Sequence, residues 1–328
     1  MNAPAPLLQV SDLHTCFHSR RGPLTVVAGV DLAVYPGEVV ALLGESGCGK
    51  SATALSLMGL IPLRSGQVSQ GQILFNGQDL RQLRRRQLDE VRGRDLAMIF
   101  QDPMSALNPV LSIGRQLRET LCRHLPLDAR EADQEALRLL AEVGIPHPAD
   151  CLKAYPHQLS GGLCQRVMIA MAVSCNPRLL IADEPTTALD VTVQRQVMHL
   201  LDGLRRRRAM ALLLITHDLG VVAQYADRAL VMYLGQVVEQ GPVQRLFERP
   251  AHPYTRALLA SMPDIDASPA RLPGLAGQVP DLHQRPVGCA FAARCGHADD
   301  RCRAERPALA ALTATRQVRC WHPLTESA

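Results

Sequence analysis

The sequence predicts an α/β protein built on an open sheet with a substantial parallel part, covered by helices on both faces. Three observations predict it. Short apolar runs of strand length alternate with longer segments whose apolar residues recur at helical spacing. Those runs are continuously apolar, as strands buried on both faces must be. Each polar motif stands just beyond the carboxyl end of such a run, where open α/β sheets hold their ligands.

In chain order, GEVVALLGE gives a buried strand around Val39 to Leu43 that ends in glycines, and Ser51 to Leu60 follows as a helix. GQILFNG is a second strand, before a charged, arginine-rich helix near Leu80 to Arg92. LAMIF is a third, ending at Gln101, and Pro103 to about Pro177 is mostly helical. Two strongly apolar strands come next: RLLIADEP reaches Asp183 and Glu184, and AMALLLITHD reaches Thr216 and His217. After Pro250 the composition turns proline-rich, which predicts an extended connector with one short helix ahead of a cysteine-rich tail. The expected division is a domain over 1–250, with a helical subdomain at about 103–177, and an extension over 251–328. No internal repeat is detected.

Composition excludes several classes. With 328 residues, 47% of them hydrophobic, the chain has the apolar content for a packed core and is not disordered. No apolar run approaches the ~18 residues that cross a bilayer. The opening MNAPAPLLQV has neither a basic nor an apolar signal region, so the chain is expected to stay on the side of the membrane where it is made. The net charge of +4 is too small to argue for nucleic acid. Of 35 basic residues only Lys50 and Lys153 are lysines, so a retained lysine points to chemistry that needs a compact ammonium. Arg84 to Arg86 and Arg205 to Arg208 read as solvated helix faces rather than RNA or lipid patches, since no aromatic residues interleave with them. Of ten cysteines, six are scattered, while Cys289, Cys295, Cys302 and Cys320 crowd the last forty residues. Without an export signal, disulfides are the least expected fate of either set.

Gly44 to Ser51 spells GESGCGKS, the G-x-x-x-x-G-K-[ST] pattern, after a strand and before a helix as that motif requires. Its glycines let backbone N–H groups wrap a phosphate at a helix N-terminus. Lys50 is the expected point charge on the β- and γ-phosphates and Ser51 a ligand of Mg²⁺. Asp183, at a strand end, suits a further Mg²⁺ contact, and the adjacent Glu184 can accept a proton from an attacking water. His217 ends the next strand and is placed to meet the γ-phosphate. Cys48, inside the cradle near Lys50 and a helix N-terminus, is either a small spacer or a thiol of lowered pKa open to alkylation.

LSGGLCQR (Leu159 to Arg166) joins the cradle, Gln101, TALD (Thr187 to Asp190) and His217 in an order that resembles the ATP-binding-cassette (ABC) ATPases, over about Leu7 to Arg249. That resemblance implies a P-loop NTPase core with a helical subdomain. It implies ATP held by Gly44, Glu45, Ser46, Gly47, Cys48, Gly49, Lys50, Ser51 and Ala52, with Phe17 stacked on adenine. It makes Gln101 a sensor of Mg²⁺, water and the transmembrane partner, Asp183 the Mg²⁺ aspartate, Glu184 the catalytic glutamate, Asp190 a dimer contact and His217 the switch histidine. Ser160, Gly161 and Gly162 match the signature motif, which in this family faces the γ-phosphate of another cassette. Leu163 departs from the glutamine often found there, as in peptide-importer members. With one cradle and one signature, the chain is expected to need a second cassette.

HPYTRALL, PVGCAFAARC and PMSALNP resemble the dipeptide and oligopeptide importer ATPases and their C-terminal extension. The cysteine spacings, C-x5-C, C-x6-C and C-x17-C, match neither the C-x2-C zinc pattern nor a ferredoxin run, so a [4Fe–4S] cluster, Zn²⁺ and free thiols stay open. The subgroup resemblance favours the cluster, in a structural or regulatory rather than a catalytic role, since nothing in the sequence places it near the phosphates. It also implies a paralogous second ABC ATPase subunit, two transmembrane permease subunits, an extracytoplasmic substrate-binding protein and no nucleic acid. The expected place is the cytoplasmic face of the inner membrane. Nickel-chelate or glutathione import, and a soluble ABC ATPase outside transport, are the competing functions.

Overall fold

The computed structural model describes residues 5–187, 189–261 and 277–324. The chain forms two compact units, neither continuous in sequence. One comprises Met1–Leu7, Val34–Glu38 and Gln82–Ile215, the other Leu8–Ala33, Val39–Arg81 and Thr216–Ala328. The strands are β1 (Leu8–Ser19), β2 (Gly22–Val34), β3 (Val39–Leu43), β4 (Gly66–Phe75), β5 (Gln78–Asp79), β6 (Leu96–Ile99), β7 (Leu179–Asp183), β8 (Ala211–Ile215), β9 (Arg228–Tyr233), β10 (Gln236–Pro242), β11 (Ala310–Thr313) and β12 (Arg316–Val318). The helices are α1 (Lys50–Leu57), α2 (Arg85–Val91), α3 (Pro103–Ala106), α4 (Ile113–His124), α5 (Ala129–Glu142), α6 (Pro148–Lys153), α7 (Gly161–Val173), α8 (Val191–Arg208), α9 (Leu219–Tyr225), α10 (Val243–Glu248), α11 (Pro253–Ala260) and α12 (Asp300–Ala304).

In the first unit β6, β7 and β8 run parallel, with Leu96 opposite Leu179 and Leu179 opposite Ala211. Every residue of the three strands is buried, which is why they read as unbroken apolar runs. The helical stretch from α3 to α7 is punctuated by side-chain caps. Ser112 caps α4, Asp128 caps α5 in a reciprocal box with Glu131, and Ser160 caps α7. Arg205 and Arg206 pair with Asp202, while Arg207 and Arg208 pair with Glu142. That basic cluster is an ion-pair network on its own unit. The helix expected from Leu80 starts later: a 3-10 turn covers Leu80–Gln82, Arg84 is extended, and α2 begins at Arg85.

The second unit holds an antiparallel sheet in the order β2-β1-β4-β5 and the strand series β11-β12-β10-β9-β3. Of the latter, β3 and β9 are parallel and the rest antiparallel. Residues 310–318 thus add two strands, β11 and β12, beside β10. Their anchor is Glu239, fully buried, whose carboxylate accepts from the Arg316 guanidinium at 2.9 Å and from the N–H groups of Ala251 and His252 at 2.9 and 2.8 Å. The short helix expected after Pro250 is α11; residues 262–276 of the expected connector lie outside the described residues.

Candidate functional site

The cradle is built where β3 ends. Gly44 has φ 151°, and a Cβ there would stand 2.3 Å from the Met232 carbonyl oxygen, so the turn out of the strand admits only glycine. The β9–β10 turn braces the loop from behind, with the Gly235 N–H donating to the Cys48 carbonyl at 2.8 Å. A Cβ on Gly235 would meet the Val26 carbonyl at 2.2 Å. Lys50, buried, donates from Nζ to the carbonyls of Gly44 and Glu45 at 2.8 and 3.1 Å. α1 opens directly behind the loop with no acidic residue in its first turn, so nothing of its own competes for an anion there. Ser46 and Gly47 are exposed, and Ser51 and Ala52 are half-buried. Phe17 is half-buried on β1 opposite Gly66, close enough that a Cβ on that glycine would meet its ring at 2.9 Å.

Cys48 is the spacer. It is 1% exposed, and burial pushes its thiol above the ordinary value against the pull of Lys50. The lowered pKa expected from the helix N-terminus does not arise, because desolvation of a thiolate outweighs a nearby ammonium here.

Glu45 is held at every polar point. Its N–H donates to the Tyr254 hydroxyl at 3.0 Å and its carbonyl accepts from Lys50. Its carboxylate accepts two bonds from Arg294, at 2.7 and 3.1 Å. The Arg294 side chain is 4% exposed, its guanidinium carbon 5.8 and 5.9 Å from the ring centroids of Tyr233 and Phe291. The C-terminal region therefore touches the glycine-rich loop through Arg294. Spacing gave no sign of this, since the two residues are 249 positions apart.

In the other unit, Asp183 ends β7 and is buried, and Glu184 follows in a left-handed conformation at φ 47°. A non-glycine residue held there is strained, a feature that concentrates at functional positions. Glu184 Oε2 accepts from Gln101 Nε2 at 3.2 Å and from the Thr187 hydroxyl at 2.8 Å, and the Glu184 N–H donates to the Ile215 carbonyl at 2.8 Å. Two residues read as separate motifs thus meet on one carboxylate. Ser160 and Gly161 are exposed at the start of α7, and nothing lies within 4 Å of where a Gly161 Cβ would be. Asp190 caps α8 through Thr192 and Val193. His217, in the second unit, is exposed just past the end of β8.

Cys289, Cys295, Cys302 and Cys320 line one cavity, together with His252, Phe291 and His322. The Cys289 N–H donates to the Cys302 carbonyl at 2.7 Å, and Cys302 enters α12 under its Asp299 cap. Burial raises the thiols of Cys289 and Cys302, and that of Cys320 is pushed up to about 11 by burial with added repulsion from the other three. Thiols such as these three, which resist ionisation alone, suit a site where a bound metal supplies the compensating charge. All four offer sulfur donors to that cavity, the ligand chemistry that Zn²⁺ or an iron–sulfur cluster takes. A second donor group, Asp299, Cys302 and His322, shares one of these cysteines and was not singled out in the sequence.

A glycine-rich loop opening a helix after a parallel strand defines a phosphate-binding protein of the P-loop class. Comparison with known proteins extends this. The ABC transporter family model matches residues 27–187, and the model for the oligopeptide/dipeptide transporter C-terminal region matches 238–302. The dipeptide transport ATP-binding protein DppD of Escherichia coli (strain K12) is 48% identical over 321 residues, 98% of each chain. DppD of Bacillus subtilis (strain 168) is 48% identical over 315 residues, 96% of this chain and 94% of its own. Among solved structures, the dimeric ATP-binding cassette MJ0796 bound to ADP and Pi is similar, with a TM-score of 0.65 and 25% identity over 72% of this chain and 98% of that one. The chain belongs to the ABC transporter family, as an ATP-binding subunit with the oligopeptide/dipeptide-type C-terminal region. Its fold is that of the ABC ATPases, and its activity is ATP hydrolysis.

Proposed function

We propose that the chain hydrolyses ATP to energise import of dipeptides and oligopeptides through a membrane permease. One observation carries the reading: dipeptide transport ATP-binding proteins align with nearly the whole chain, through both the cassette and the C-terminal region. The cassette is assigned to 1–250, with its helical subdomain at about 103–177, and the extension to 251–328.

The loop from Gly44 to Ala52 binds the ATP phosphates, with Lys50 as the point charge, and Phe17 stacks on adenine. Ser51, Asp183 and Gln101 offer the hard oxygen donors that Mg²⁺ takes, and the ion would neutralise charge on the phosphates. Glu184, steered by Gln101 and Thr187, accepts the proton of the attacking water. His217 contacts the γ-phosphate. Ser160, Gly161 and Gly162 present their exposed helix start to the nucleotide of a second, paralogous cassette. Cys289, Cys295, Cys302 and Cys320 hold a [4Fe–4S] cluster, with Zn²⁺ the alternative; either would pin the extension. Two permease subunits and an extracytoplasmic binding protein complete the importer. The permease docks near Gln101 and Asn108, where Met104 and Val110 are exposed apolar side chains. No helix among the described residues is long and apolar enough to cross a membrane, in keeping with a peripheral subunit on the cytoplasmic face of the inner membrane.

The test is reconstitution in vesicles with the permease, the second cassette and the binding protein, following uptake of a labelled dipeptide. Uptake should require ATP, and Glu184→Gln should keep nucleotide binding while cutting hydrolysis and uptake about 100-fold or more. Failure to associate with any integral membrane subunit, or full hydrolysis without a second cassette, overturns the reading. Iron and sulfide analysis of the purified chain, against a variant with all four tail cysteines changed to serine, decides the cluster. About four irons per chain, lost in the variant, are expected; stoichiometric zinc or no metal rejects the cluster.

A further inference from the structure

The C-terminal extension supplies the loop with more than a neighbour. The cradle's second residue is a glutamate, an anion placed in a loop that must accept a polyphosphate. Like charges a few ångströms apart oppose each other strongly where water is partly excluded. Arg294 answers that charge with a planar fork matched to both carboxylate oxygens. The guanidinium is walled in by Tyr233 and Phe291, so it is poorly screened and has little freedom to leave. The Tyr254 hydroxyl, from the helix that opens the extension, takes the Glu45 N–H, so backbone and side chain are both held by residues beyond the cassette's core motifs.

We propose that Arg294 is a positioning residue of the ATP site: by neutralising Glu45 and holding its carboxylate, the extension makes the phosphate loop receptive to a triphosphate. The inference rests on the reading of Gly44 to Ser51 as the ATP site. Because Arg294 immediately precedes Cys295, the chain that carries a cavity-lining cysteine also carries the group that conditions the loop.

The charge logic has a sign that a merely structural contact lacks. Losing Arg294 leaves an uncompensated carboxylate in the loop; losing the carboxylate removes the loop's own negative charge while Arg294 keeps its bond to the Tyr233 hydroxyl. The test measures ATP binding on the full-length chain, and KM and kcat on the importer reassembled with the second cassette and the permease, for wild type, R294Q, E45Q and R294Q/E45Q, with thermal melting as the folding control. R294Q should weaken ATP binding about tenfold and raise KM with kcat changed about twofold or less. E45Q, which removes the loop's own anion, should bind ATP more tightly than wild type, and adding it to R294Q should recover most of the loss. R294K, which restores the charge without the fork, should lie between R294Q and wild type. Wild-type affinity in R294Q, or a double variant no better than R294Q, overturns the proposal. Should R294Q not fold, E45Q decides: tighter binding sustains it, and wild-type or weaker binding overturns it. A wild-type chain that binds no ATP overturns instead the assignment of the loop itself.

Discussion

Cys48 and His252 show how burial, not type or neighbourhood, sets the chemistry of a residue. Beside a lysine and a helix N-terminus, Cys48 has the sequence context of a reactive thiol, yet its burial raises it. His252 is a cap: Nδ1 accepts from the Tyr254 N–H at 3.0 Å, and the ring is 1% exposed. Burial drops its pKa to about 3. The folded chain therefore refuses a proton that the unfolded chain binds below its ordinary value of about 6.5. Stability from this group is complete above that value and declines as pH falls toward about 3. Urea unfolding at pH 7.5 and 5.5 should give a lower midpoint at the acid pH, and His252→Asn, which keeps a capping acceptor, should flatten the difference. An equal pH dependence in the variant would reject the assignment.

At the scale of elements, strand ends and helix starts carry the chemistry. β3 delivers the cradle, β7 delivers Asp183 and Glu184, and β8 is followed by His217. α7 begins at an exposed serine and glycine pair with no bulk near the Gly161 position. Under the proposed function, that opening is where the nucleotide of a second cassette docks. Ser160→Arg should leave ATP binding within about twofold while abolishing hydrolysis, since the obstruction falls on the neighbour's nucleotide and not on the chain's own cradle. Steady-state hydrolysis alongside equilibrium nucleotide binding checks this; equal loss of both would place the fault in folding. α7 itself keeps its first turn with any Ncap acceptor, so Ser160→Ala should cost about 1 kcal/mol of stability and far less activity than the arginine.

At the scale of the molecule, the C-terminal region is tied in by its own strand pairing and a buried ion pair. Its last strand pairs Val318 with Glu239, and Glu239 gathers Arg316 and two backbone N–H groups into one buried network. Glu239→Ala leaves a largely buried guanidinium and two buried donors without their acceptor. A loss of about 3–5 kcal/mol is expected, read as a fall in the denaturant midpoint, along with weaker ATP binding if Arg294 shifts with the extension. Unchanged stability would mean that the strand addition does not hold the tail.

What the sequence determined by itself is the set of local patterns. Buried parallel strands are written as unbroken apolar runs, and the cradle as glycines around a lysine, because each depends only on neighbours in the chain. β1 and β2 escaped that reading: burial in β1 alternates and both strands mix polar with apolar residues, which hides a half-buried strand among loops. The tertiary structure alone decided which distant groups meet. Four unevenly spaced cysteines share a cavity, Gln101 reaches Glu184 across 83 positions, and Arg294 reaches Glu45 across 249. Such pairs leave no period or spacing in one sequence, because the energy that selects them, the matching of buried charges and donors, exists only once the chain has closed around them.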